Sequence, residues 1–259
     1  MLSFNQNRHK NVRQQASALL SQIQTIQTVH TVQRLPNILR RITYNKYGVE
    51  IGGPSALTGT TIYKSATNMD NVIFSKETVW SKHGNKYCYY EGKQGNVIIN
   101  DSVNISNVQN DVYDFLFSSH SLEHIANPLK AVKEWLRIVK NGGFIIIIVP
   151  EKSLTFDHKR EYSKFSTILR QYENNVGEDD LSTLDEILAT HDLSMDPPAG
   201  TFEHFKTRSL DNFNNRCLHH YVYDDELLLE ICRFFNCEFI YKETQGSDRW
   251  FIMRKPSTN

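Results

Sequence analysis

Long apolar runs are missing from this 259-residue chain. The longest, Phe144 to Val149, has the length of a strand, whereas a membrane span needs about 20 apolar residues. The N-terminal stretch MLSFNQNRHKNVRQQ lacks an apolar centre and a small-residue cleavage site, so no secretory signal is expected. An excess of one charge is also missing, since 29 Lys and Arg balance 29 Asp and Glu. That balance disfavours a nucleic-acid or membrane-surface partner. Cysteine is sparse. Cys88, Cys217, Cys232 and Cys237 form no CxxC pair and no zinc-ligand ladder, which suits reduced thiols in a cytoplasmic protein. A full GxGxxG is absent as well, which weakens a nicotinamide-binding reading.

What is present is an alternation of short apolar strands and helical stripes. Residues 13–35 carry Ala16, Leu19, Leu20, Ile23 and Ile26 at spacings of three and four, which predicts a helix that Pro36 interrupts. Residues 1–46 are expected to form an N-terminal helical extension, and 47–259 the main domain. Strands are expected at 48–51, 66–74, 96–99, 113–117 and 144–150. Asn127-Pro128 predicts a helix start with proline in the first turn, and Asn141-Gly142-Gly143 its stop. FIIIIVP reads as a central parallel strand covered on both faces. Asp224 predicts the cap of a later helix, and CEFIY and RWFIMR a closing antiparallel hairpin. Residues 151–210 are rich in charge and histidine and read as an insertion after the fifth strand, with one helix in EDDLSTLDEILATHD. The pattern as a whole argues for an α/β sheet.

The polar residues fall in a telling place. Gly52-Gly53, Asp70, Asn100-Asp101 and Ser118 to His120 each follow an apolar run. In parallel sheets, ligands bind outside the carboxyl ends of strands, so these groups are expected to meet on one edge.

Here the chain resembles the class I methyltransferases that use S-adenosylmethionine. VEIGGPS is similar to their first glycine motif. DVYDFLFSSHSLEHIANPLKAVKEWLRIVKNGGFIIIIVP, with Leu122-Glu123-His124, resembles the strand–helix–strand block of the methyltransferase type 11 group. The likeness covers roughly 47–150. It implies a Rossmann-like mixed sheet of seven strands, helices on both faces and a C-terminal antiparallel hairpin, with S-adenosylmethionine as cofactor. It further implies cofactor contacts from Glu50, Gly52, Gly53, Asp70 (ribose hydroxyls), Asp101 (adenine amine), Ser118 and Ser119. One departure stands out: Pro54 replaces the second motif glycine and has no N–H to offer.

For the acceptor, the TFDHKR stretch after the fifth strand offers His158 as a general base, Asp157 beside it, and Arg160 to grip an anion. The bland alternative is a capped loop of solvated charges. His120 and His191 are further candidate substrate contacts, and His120 reads equally as a satisfied loop histidine. Glu123 reads as a pocket contact or a cap, and His124 as a helix-positioning residue. His191-Asp192 and His219-His220 with Asp157 and His158 form a candidate metal set. No HxxxH or HExxH spacing supports it, and no metal is expected. Trp80, Tyr87, Tyr89 and Tyr90 read as a stacking face or, in the blander reading, a partly buried segment. The expected function is methyl transfer to a hydroxyl of a sugar or small metabolite. A binding module that has lost its cofactor, a nicotinamide-dependent oxidoreductase and a metal-dependent hydrolase are the alternatives.

Overall fold

In a computed structural model of the chain, residues 34–78 and 84–257 are described. The expected helix at 13–35 lies almost wholly outside them, and so does Trp80. The chain divides into two units, Met1–Arg41 and Ile42–Asn259. Residues 34–43 are helical, Pro36 among them, so Pro36 does not end helical structure there.

The second unit is built on one sheet of eight strands in the order β3-β4-β2-β1-β5-β6-β8-β7. The strands are β1 (Tyr47–Ile51), β2 (Asn68–Ile73), β3 (Lys86–Tyr90), β4 (Lys93–Ile99), β5 (Tyr113–Ser119), β6 (Val139–Pro150), β7 (Glu238–Gln245) and β8 (Asp248–Arg254). Strands β1, β2, β4, β5 and β6 run parallel. Strands β3, β8 and β7 pair antiparallel at the two sides. The expected α/β class and closing hairpin hold, and β3 makes the strand count one larger than expected.

The helices of this unit are α1 (Ala56–Ser65), α2 (Pro128–Ile138), α3 (Phe165–Glu173), α4 (Leu184–Thr190), α5 (Phe202–Leu210), α6 (Asn212–Asn215) and α7 (Asp225–Phe234). Two caps follow the sequence directly. Asn127 accepts from Lys130 N ahead of Pro128, and Asp224 accepts from Leu227 N, each satisfying an orphan N–H of a first turn. Asn141-Gly142-Gly143 does not stop α2, which ends at Ile138, because the chain already pairs as β6 from Val139.

Burial explains the β6 sequence. Ile145, Ile147 and Val149 pack with Val132, Trp135, Leu228 and Ile231 in one core cluster. Ile146 and Ile148, also fully buried, point to the opposite face. On that face Tyr63 of α1 meets Phe117 of β5, ring centroids 6.3 Å apart. A strand buried on both faces needs an unbroken apolar run.

Residues 151–224 cover the carboxyl edge of the sheet before α7 begins, a longer stretch than the expected 151–210. Leu184, Ile187, Ala199, Phe205 and Leu218 give this region a small core of its own. The expected helix there is only Leu184–Thr190. Asp180 instead caps a turn through Ser182 N.

Candidate active site

Strand order reverses between β1 and β5, and a cleft of about 820 Å³ opens above that point. This volume falls within the roughly 300–1,000 Å³ common for small-molecule sites. The floor is the carboxyl edge of the sheet, with Gly52, Gly53, Phe74, Asp101, Ser119 and His120 on it. The opposite wall comes from the 151–224 region, with Phe156, Glu178, His204, Arg208, Arg216 and His219.

The glycine turn is shaped from below. Gly52 and Gly53 both have positive φ, +80° and +75°. A Cβ on Gly53 would lie 2.3 Å from Glu50 Oε1, so only glycine fits. Glu50 itself does not line the cleft. It is fully buried behind the turn, where it accepts from Ser55 N at 3.1 Å, from the Tyr63 hydroxyl at 2.7 Å and from the Tyr87 hydroxyl. Burial raises its pKa despite those donors. The expected cofactor contact at Glu50 is therefore corrected: it is a clamp that ties β1, α1 and β3 around the turn.

Asp70 also needs correction. Its carboxylate lies inside the sheet, accepting from Asn96 N at 2.8 Å, from the Tyr113 hydroxyl at 3.0 Å and from the Tyr47 hydroxyl. β2 runs on to Ile73, so Asp70 stops about 10 Å short of the edge. Phe74 and Ser75, which follow the strand, carry no carboxylate. The Phe74 ring instead lies 5.3 Å under the Arg216 guanidinium.

Asp101 does reach the cleft, and it is not free there. Arg216 Nη2 bonds its Oδ2 at 3.2 Å, while Arg216 Nη1 forms an ion pair with Glu178 Oε2 at 3.2 Å. Desolvation lowers the pKa of Arg216 although the Asp101 charge opposes it. Ser119 faces the cleft and pairs with Thr58 of α1 at 3.0 Å. Ser118 does not, because successive strand residues point to opposite faces; its hydroxyl is buried without a partner.

The TFDHKR residues are placed differently from expectation. His158 lies outside the cleft on the surface, with Nε2 2.9 Å from Asp192 Oδ2. Arg160 is buried and saturated: it donates to Asp157, Glu186 and the His219 and His220 carbonyls. It cannot grip a substrate. Asp157 is buried between Arg160 and His219 Nδ1, 2.5 Å away, and those partners outweigh desolvation to lower its pKa. His191 is stacked between Phe156 and Phe205 and bonded to Asp196.

His120 does line the cleft, with a left-handed φ of +48°. Its Nε2 lies 2.9 Å from Asp248 Oδ1, and its Nδ1 is 3.6 Å from Glu123 Oε1. Burial pulls its pKa down, but the Asp248 bond and the Glu123 and Asp248 charges outweigh that and leave it raised. Of the other residues lining the cleft, Glu123 was read as a pocket contact or a cap, His124 as a helix-positioning residue and His219 as part of a metal set, while Arg216 was not singled out. Glu123 and His124 were visible in the Leu-Glu-His signature, and His219 in the histidine pair. For Arg216 no local pattern existed.

The cofactor implied by the resemblance fits these residues in part. Two positive-φ glycines leave backbone open to the methionyl end, and Asp101 stands at the end of β4. The position after β2, where the ribose acid is expected, holds Phe74.

Residues 80–147 match the family described as "Methyltransferase domain". No curated protein matches. Among solved structures, a putative S-adenosyl-L-methionine-dependent methyltransferase from Methanococcus maripaludis is 16% identical, with 86% of this chain and 84% of that chain covered and a TM-score of 0.44. A SAM-dependent methyltransferase from Aquifex aeolicus is 12% identical, with 85% and 88% covered and a TM-score of 0.47. The N-methyltransferase NodS from Bradyrhizobium japonicum is 9% identical, with 87% and 96% covered and a TM-score of 0.42. The β3-to-β6 segment matches that family and a glycine turn stands at the switch point of the sheet, and together these support S-adenosylmethionine-dependent methyl transfer.

Proposed function

We propose that the chain methylates a hydroxyl of a small molecule or glycan bound against the 151–224 wall. The carrying observation is the cleft itself, where the glycine turn and a titratable histidine share one space. When bound, S-adenosylmethionine supplies a methyl group on a sulfonium, which brings most of the driving force. Gly52, Gly53, Asp101 and Ser119 bind it. The chain's remaining task is to position the acceptor and take its proton.

His120 suits that task better than His158. Asp248 holds Nε2–H, which leaves the lone pair on Nδ1. His120 Nδ1 would take the proton of the acceptor O–H as that oxygen receives the methyl group. Asp157 is a positioning residue, and Arg160 and His191 belong to the wall. Zero net charge and a walled cleft favour a small or glycan acceptor over nucleic acid. Four free cysteines suit the cytoplasm, and among the described residues no helix is long and apolar enough to cross a membrane.

The first test is a thermal-unfolding shift with S-adenosylhomocysteine, with NAD as control. At a hundredfold excess over Kd the expected stabilisation is about 2.7 kcal/mol. A shift with NAD alone would overturn the reading. With an accepted substrate, His120→Ala should lower kcat by roughly 10²–10⁴ and leave S-adenosylhomocysteine affinity unchanged. Undiminished kcat removes His120 from the reaction.

A further inference from the structure

One cluster in the cleft wall is not used by methyl transfer as described above. Glu123 and His124 belong to the 3-10 turn Leu122–His124 just after β5, and His219 arrives from the chain returning after α6. A carboxylate oxygen of Glu123 and one ring nitrogen of each histidine lie within 4.8 Å of one another. All three residues line the cleft.

Two features distinguish this cluster from a chance meeting of polar groups. First, Glu123 is 1% exposed, and neither of its carboxylate oxygens has a hydrogen-bond partner. A buried carboxylate normally finds two or three donors; Glu123 has only the His120 ring, 3.6 Å away, beside it, and so needs an explanation. Second, each histidine is oriented through its Nδ1. His219 Nδ1 bonds Asp157 Oδ2 at 2.5 Å, and Asp157 is anchored by Arg160 at 3.1 Å. His124 Nδ1 bonds the Leu218 carbonyl at 3.2 Å. An acceptor at Nδ1 puts the proton there and the lone pair on Nε2. This is how proteins orient metal-binding imidazoles.

We propose that Glu123, His124 and His219 bind one divalent cation of the zinc class, with Asp157 as the group that orients His219. Two imidazoles and a carboxylate are a borderline nitrogen–oxygen donor set, and three protein ligands leave a coordination position open. Ligands about 2.1 Å from a tetrahedral ion sit about 3.4 Å apart, so the three side chains need close in by at most about 1.4 Å. Because the ligands line the cleft, the open position faces the acceptor. A hydroxyl oxygen held there is easier to deprotonate, and His120 Nδ1 stands beside Glu123. That last role rests on the methyl-transfer reading; the site itself does not.

The bland alternative is that desolvation keeps Glu123 protonated, as its raised pKa allows, with no ion at all. Equilibrium dialysis separates the two. The full chain, stripped with a chelator, is dialysed against Zn²⁺, and against Co²⁺ for its visible absorption. The expected result is about one equivalent of metal per chain and a Co²⁺ band typical of low coordination number. Glu123→Gln and His219→Gln, checked for a cooperative melt, should bind at least roughly 100-fold more weakly, and Asp157→Asn roughly 10–100-fold more weakly. His158→Ala should bind as the parent does. Binding of less than about a tenth of an equivalent by the folded parent, or equal binding by Glu123→Gln and His219→Gln, overturns the site. S-adenosylhomocysteine binding is measured on the same samples. Metal bound without it keeps the site and overturns the acceptor role; the reverse result overturns the site and leaves methyl transfer standing.

Discussion

The two walls of the cleft are held by different physics. The sheet edge is fixed by backbone pairing and by packing on both faces of the strands, and its polar residues reach the cleft only where a strand ends. The 151–224 wall has a small core of its own and is tied together by ions, Arg160 to Asp157 and the 219–220 carbonyls and Arg216 to Glu178, while Arg216 also joins it to the sheet edge at Asp101. The comparison teaches that one edge of a fold can be read from local patterns while the wall facing it cannot. It also predicts that the two walls break under different perturbations.

The largest expected effect is on the ionic wall. Arg160→Met removes the partner of Asp157, which is 5% exposed at its side chain, and should cost about 3–5 kcal/mol in denaturant unfolding. S-adenosylhomocysteine affinity should be unchanged, because the glycine turn stands on the other wall. A loss of stability under about 1 kcal/mol would erase the distinction between the walls.

Acid should act on the same wall. His220 is 1% exposed, and Asn212 Nδ2 donates to its Nε2 at 3.1 Å, a bond that needs a neutral ring. Burial is the main cause that lowers its pKa to about 4. The unfolded chain therefore takes up this proton first, at about pH 6.5. Its contribution is complete above about pH 6.5 and fades as pH falls toward about 4, by at most about 3 kcal/mol. Unfolding followed from pH 7 to pH 4 should show this slope, and His220→Asn should flatten it.

Inside the sheet a smaller effect is expected. Asp70→Asn leaves the shape intact and weakens bonds from two tyrosines and Asn96. It should cost about 1–3 kcal/mol of stability while leaving S-adenosylhomocysteine affinity unchanged. A large loss of affinity with normal stability would restore Asp70 to the cofactor site. Smallest of all, His158→Ala should change stability by no more than about 0.5 kcal/mol and turnover not at all, since its ring pairs with Asp192 on the surface.

How far the sequence could be read depended on how local each signal was. The block from β5 through α2 to β6 carries its own cap and its own apolar periods, and it forms where expected except that β6 begins at Val139, inside the expected helix stop. Strand β3 was missed because Lys86–Tyr90 has no aliphatic residue. Its hairpin also turns on Glu91 and Gly92, both at positive φ, where Asn-Gly or Asp-Gly is the recognisable pair. Helix α1 escaped notice as well: it is rich in threonine, contains Gly59 and has no side-chain cap.

By itself the sequence determined the sheet class, the glycine turn, the helix caps and the closing hairpin, because each rests on contacts between near neighbours in the chain. Only the tertiary structure decided which acids face the ligand and which histidines meet. Asp70 lies inside because β2 continues beyond it, and Asp101 faces out because β4 has ended. Asp157 meets His219 across 62 residues, and Arg216 meets Asp101 across 115. No periodicity in a sequence spans such distances; they are set by where packing returns the chain.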